Sequence, residues 1–206
     1  MQASREIFSF SKKNTQVYIT PNKVDLTTDV DSIHLQDEEK EKYVALKSEK
    51  RKKEFLLIRF LRNQLFPNKE IGYLDSGAPF IKDNILSISI SHTTSYVAMA
   101  ISTESRIGLD LEEVQSKIIR LGPKFMHPNE LKEADKKNIA KSYTCYWCGK
   151  EALYKWSGIE GLSFQNDLPI YHKNHSIWEG KSVRISNDPI SLEMITFENH
   201  ILCFTY

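Results

Sequence analysis

Read for the alternation of apolar and polar positions, the chain divides into strands and helices in a clear order. Gln16–Thr20 has the period of a strand, and Pro21 ends it. Gln36–Ser48 and Glu49–Phe66 are charged and helix-forming, and Pro67 stops the second. That second helix carries Phe55, Ile58, Leu61 and Leu65 as an apolar stripe, with Arg51, Arg59 and Arg62 read onto its other face. Asp75–Pro79 is a turn. Leu86, Ile88 and Ile90 alternate with serines, Tyr96–Ile101 is apolar and nearly continuous, and Arg106–Val114 alternates again. The short links between these segments predict an antiparallel meander. Pro128 opens a helical stretch as its first residue. A longer helix over Ile139–Ser157 has Gly158 placed to cap it. Further strands are expected around Leu168–Tyr171, Ser182–Ile185, Leu192–Phe197 and Ile201–Tyr206.

This order of strand, helices, strands, helices, strands predicts an α+β fold. Two similar halves are expected in one chain, residues 1–107 and 108–206, each a small, mainly antiparallel sheet packed against helices. The halves would meet near residues 105–115 and relate by a pseudo-two-fold axis. No sequence identity links them, so the repeat rests on element order alone.

Composition narrows the function classes. A chain of 206 residues with 40% hydrophobic residues can bury a real core. A formal net charge of +1 excludes a polyelectrolyte, so no nucleic-acid partner is expected. No apolar run reaches the roughly 20 residues of a membrane-spanning helix. The polar start, Met1–Glu6, lacks the apolar segment of a secretory signal. Three cysteines make no disulfide framework, and a reducing cytoplasmic setting follows as the expectation. A monomer is expected from the fused halves.

Two short stretches carry the candidate chemistry. Ile107-Gly108-Leu109-Asp110-Leu111-Glu112 has the alternation of a strand, with Gly108, Asp110 and Glu112 on one face. About forty residues on, Trp147-Cys148-Gly149-Lys150-Glu151-Ala152-Leu153-Tyr154-Lys155 has helical spacing, with Glu151 and Lys155 one turn apart. Asp110, Glu112 and Glu151, flanked by Lys150 and Lys155, would seat a divalent cation and an anionic phosphate ester. An all-oxygen donor set favours magnesium or calcium over zinc. The plain alternatives are a solvated edge strand and a surface ion pair on a helix. Ser91-His92 closes the serine-rich strand, and its histidine either reaches a phosphate oxygen or is satisfied within a turn. The arginines of the second helix either bind phosphate or form a solvated face. Cys145-Tyr-Trp-Cys148 lies within a helix without a second cysteine pair and is read as packing. His172-Lys-Asn-His175 is read as a polar loop.

Together these stretches resemble the signature of the 4'-phosphopantetheinyl transferases of the surfactin-synthetase-activating type. That signature is an apolar-Gly-apolar-Asp-x-Glu segment, followed some forty residues later by aromatic-x-x-Lys-Glu-Ala/Ser-x-x-Lys. Ser91-His92, the pair Phe125 and Glu130, the basic helix from Arg51 through Arg59, and Gly161-Leu-Ser-Phe164 are similar to further family segments. Where the family shows Gly-Lys-Pro, this chain has Gly77-Ala78-Pro79, and Glu160 stands where a small or basic residue is usual. The resemblance implies two α+β halves with the site between them. It implies coenzyme A as donor and an apo acyl or peptidyl carrier protein as acceptor. Asp110, Glu112 and Glu151 would hold Mg2+, and Lys150 and Lys155 would contact the phosphates. His92, Ser91, Arg59 and Arg51 would bind the rest of coenzyme A. Glu151, directly or through a metal-bound water, is the candidate base for the serine proton, with Glu130 second. A non-catalytic carrier-protein or nucleotide-binding module is the alternative, and a magnesium-dependent hydrolase of nucleotide phosphates is a further one.

Overall fold

The computed structural model of the chain describes residues 6–23, 25 and 30–206. The polar N-terminal residues 1–5 lie outside the described residues. A hairpin of β1 (Phe8–Lys12) and β2 (Thr15–Pro21) opens the fold, followed by α1 (Asp37–Ala45) and α2 (Glu49–Leu65). Next come β3 (Ile71–Tyr73), β4 (Pro79–Ile81), β5 (Ser87–His92) and β6 (Tyr96–Ser102). These six strands form one sheet in the order β1-β2-β6-β5-β4-β3, with every pairing antiparallel. The second half holds β7 (Leu109–Glu113), α3 (Ile118–Phe125), α4 (Pro128–Glu133) and α5 (Ile139–Ser157). It ends with β8 (Ile170–Asn174), β9 (Ile177–Ser182), β10 (Ser186–Phe197) and β11 (His200–Thr205). Its five strands run β7-β11-β10-β9-β8, again antiparallel. The molecule is α+β, with two antiparallel sheets packed against helices, as the pattern predicts.

Side-chain alternation explains how the two sheets meet. On β6, Val97 and Met99 face a core shared with Leu56, Leu57 and Leu61 of α2. Ala98 and Ala100 point the other way and join Val17 and Ile19 of β2 against Leu109, Leu111, Leu202 and Phe204. Both faces of β6 are therefore covered, which is why its sequence reads as one apolar run. In the second half, α5 lies across the remaining face of the second sheet, packing Ala152 and Leu153 onto Ile170, Leu192, Ile201 and Cys203.

The expected meander does not form. β6 pairs with β5 and β2, whereas β7 leaves the first sheet and pairs with β11. β5 still touches β7, but through serine side chains. Ser89 Oγ accepts the Leu109 N–H at 3.0 Å and Ser91 Oγ accepts the Leu111 N–H at 3.1 Å. The regular serines of β5 thus stand in for the peptide groups of a neighbouring strand. Two other expectations shift. The segment expected as a strand at 182–185 is mostly a turn, and the strand there is β9. His172 and Asn174 lie on β8, so the stretch read as a polar loop is the tip of a β8–β9 hairpin. The C-terminal end of α5 falls where Gly158 predicts, with that glycine in the left-handed conformation at φ 64°. No helix among the described residues is long and apolar enough to cross a membrane.

Candidate active site

The acidic strand and the acidic helix converge at the junction of the sheets. Gly108, just ahead of β7, lies against the main chain of α5 at Ala152 and Trp156. A side chain there would hold the helix away. On the same face of β7, Asp110 is 4% exposed. Its Oδ1 accepts from Ser91 Oγ at 2.9 Å and from Lys155 Nζ at 2.8 Å. Its Oδ2 is buried and has no hydrogen-bond partner. Lys155 also donates to the Leu109 carbonyl at 2.9 Å and to the Ile90 carbonyl at 3.5 Å, tying α5 to both halves.

Glu112 lies two residues beyond Asp110 and accepts from the indole Nε1–H of Trp147 at 2.8 Å. That indole stacks on Phe164 (5.3 Å, 16°) and meets Phe125 edge-on (5.0 Å, 71°), so its N–H is fixed in direction. Burial, then the negative charges of Asp110 and Glu151, push the Glu112 carboxyl up to about 7, against the pull of the Trp147 hydrogen bond and of Lys155. Burial and the Asp110 charge push Glu151 up to about 7 as well, with Lys155 opposing. Lys155 is held above its ordinary value: burial works against its charge, but Asp110 and Glu151 outweigh it. Mutual perturbation of this kind is what close carboxylates in a cleft produce.

A cavity of about 220 Å³ opens beside Lys155, between the halves. The Gly77–Pro79 turn and Ile88–Ile90 line one wall, and Tyr154, Ile159 and Glu160 line the other. Ala78 and Glu160, the two departures from the family pattern, therefore face one cavity.

Other sequence candidates lie elsewhere. Lys150 is fully buried, with its ammonium 2.9 Å from Glu130 and donating to the Phe164 and Leu168 carbonyls at 2.7 Å each. All three of its protons are thereby spent, so it is not free for a phosphate. Burial draws its pKa down, with Glu130 in opposition. Glu130 is equally enclosed: it also accepts the N–H groups of His127 (2.7 Å) and Ile170 (3.0 Å), which removes it as a candidate base. Arg59 and Arg62 are buried, not a solvated stripe, because α1 covers them and Glu39 bonds to both, at 3.2 and 2.7 Å. Arg59 also lies 3.6 Å from the centre of the Phe55 ring. Arg51 remains exposed near the start of α2. His92 is partly exposed, its Nδ1 3.4 Å from Glu54. Ser91 is spent between Leu111 and Asp110. Cys145, Cys148 and Cys203 are buried free thiols, as expected of packing residues. The roles of Ser89, and of the Trp147 N–H as donor to Glu112, were not read from the sequence. A half-buried indole needs an acceptor, and that need was the available signal.

Whether these residues suit a divalent cation can be judged from the chain itself. The donors are carboxylate oxygens, one of them buried without a partner, and three acids face one lysine. That chemistry fits a hard cation such as magnesium. Among the described residues, no three His, Cys, Asp or Glu side chains already stand in a metal-holding group. Lys155 instead supplies the positive charge next to Asp110.

Residues 106–202 match the family model of the 4'-phosphopantetheinyl transferase superfamily. The match supports this family and phosphopantetheine transfer in general. It begins just before β7 and ends in β11, so it takes in both acidic stretches and leaves out the first sheet. A comparison with curated proteins finds no match to the chain.

Proposed function

We propose that this chain transfers the 4'-phosphopantetheine group from coenzyme A to a serine of an apo acyl or peptidyl carrier protein, in the manner of the surfactin-synthetase-activating type. The reading is carried by one observation: Asp110 of β7 pairs with Lys155 of α5 at 2.8 Å, with Glu112 and Glu151 near enough to feel the Asp110 charge, and Lys155 lines a cavity between the halves. The cavity would receive part of coenzyme A, with residues 1–107 and 108–206 as the two halves around it. Asp110, Glu112 and Glu151 would hold magnesium, which when bound neutralises charge on the pyrophosphate.

The serine oxygen of the carrier attacks the β-phosphorus of coenzyme A. The bond from that phosphorus to the bridging oxygen breaks, and adenosine 3',5'-bisphosphate departs. Glu151, directly or through a metal-bound water, would accept the serine proton. Lys155 gives its protons to Asp110 and two carbonyls, but unlike Lys150 it reaches the cavity, and there its charge would stabilise the negative charge that grows on the phosphate oxygens. His92 and Arg51, both reaching solvent, would meet the 3'-phosphate. Lys150 and Arg59 serve by holding the α5 and α1–α2 packing. The test is to mix the protein, coenzyme A, magnesium and a panel of apo carriers and read intact mass. One phosphopantetheine arm should appear on at least one carrier. It should be absent with a Glu151→Gln variant that retains the native circular dichroism. Binding of coenzyme A without transfer to any carrier would sink the reading.

A further inference from the structure

A second cavity, of about 290 Å³, lies in the C-terminal half, between the α4–α5 connection and the β8–β9 hairpin. Its deep wall is aromatic. Tyr146 of α5 and Trp178 of β9 meet edge-to-face at 5.2 Å, and His172 leans on Trp178 at 5.1 Å. Its rim is acidic. Glu133 and Asp135 stand against one lysine, Lys141. Tyr146 is 2% exposed, yet it lines the cavity and its hydroxyl bonds to no described residue. The hydroxyl is thus a group that a ligand in the cavity can meet. Burial, then the charges of Glu133 and Glu130, hold the Tyr146 hydroxyl well above its ordinary pKa, so it stays neutral with lone pairs to offer.

Indole and phenol faces attract cations, and carboxylates at the rim add charge of the matching sign. We propose that this cavity is a second binding site, one that takes an organic cation carrying an alkylammonium or guanidinium group. The ring system of Trp178 and Tyr146 receives the cation, the Tyr146 oxygen accepts one of its N–H protons, and Glu133 screens the charge. The space suits one flexible side chain or a small free amine, and not a nucleotide. The inference stands apart from the reading of the seam, since no residue is shared with it.

The test is NMR titration of the 15N-labelled full chain, following the indole N–H of Trp178, identified by its loss in Trp178→Phe. The probes are n-butylammonium chloride and N-acetyl-arginine methylamide, each against a neutral isostere, n-butanol and N-acetyl-citrulline methylamide. Both cations should shift that signal saturably, and their neutral counterparts should not. Tighter binding of the arginine derivative assigns the site to a partner protein's side chain, and tighter binding of the amine assigns it to a free metabolite. Glu133→Gln, an exposed change that leaves the fold intact, should weaken the cation about three- to tenfold. Tyr146→Phe should do so with the packing kept. Equal titration by the neutral isosteres, no saturable shift, or an unchanged Glu133→Gln would overturn the proposal.

Discussion

Gly108→Ala tests the geometry of the whole site with one methyl group. A β-carbon built on Gly108 overlaps the carbonyl oxygen of Ala152. It lies 2.7 Å from the Ala152 carbonyl carbon and 2.9 Å from the Trp156 nitrogen. These are main-chain atoms within α5, so no rotamer change can relieve the overlap. Overpacking of this kind costs about 1–3 kcal/mol, and a rigid helix backbone puts the value at the upper end. For a chain of this size each kcal/mol lowers the melting temperature by about 2–4 °C, giving a fall of roughly 6–12 °C. The helix must also move outward, which stretches the 2.8 Å contact between Lys155 and Asp110 and draws Glu151 from the strand. A displacement near 1 Å costs on the order of a hundredfold in rate. The assays are calorimetry and the initial rate of carrier modification, both run beside Gly161→Ala. Gly161 has φ 71° with nothing within 4 Å of its added carbon, so that control carries only backbone strain, about 1–2 kcal/mol, and leaves the seam in place. A Gly108→Ala protein that melts within about 2 °C of the parent and modifies carriers at the parent rate would refute the close approach of α5 to β7.

Three further outcomes follow from the same structure. Lys150→Met leaves Glu130 charged and enclosed, and should cost about 3–5 kcal/mol in urea unfolding; a loss under about 1 kcal/mol would contradict the buried pair. Without magnesium, Glu112 and Glu151 titrate near 7 in the folded state against an ordinary 4.5, so the folded chain binds more protons across that window. Metal-free stability should therefore fall as pH rises from about 4.5 to about 7, and Glu112→Gln should flatten the slope in denaturant titrations; a rise over that range would be the opposite result. Trp147→Phe keeps the ring against Phe164 but removes the donor to Glu112, which should raise the magnesium concentration needed for half-maximal rate about tenfold and lower the unfolding free energy by about 1–3 kcal/mol.

Much of this architecture was legible in the residues. Proline and glycine punctuation located the start of α4 and the C-terminal end of α5, and alternation put Asp110 and Glu112 on one face of β7. What stayed hidden was tertiary. Nothing local tells a strand which sheet to join: β7 turns from β6 to β11, where Leu111 and Leu109 pair with Leu202 and Phe204, and this shared face packs across the junction on Ala98 and Ala100. Arg59 and Arg62 look like a solvated face until Glu39, some twenty residues away, supplies the charge that lets them be buried. Lys150 and Lys155 are alike in sequence, but five residues of helix rotate one into the interior beside Glu130 and the other towards Asp110.

The serines of β5 have a last consequence. A ladder of peptide groups is indifferent to which residues it joins. A weld made of hydroxyls is written residue by residue and can be unmade by a single codon. Ser91 closes one rung of that weld and, with the same oxygen, aims Asp110. Slackening of the halves at this rung would therefore register first in the chemistry, before any calorimeter detected it.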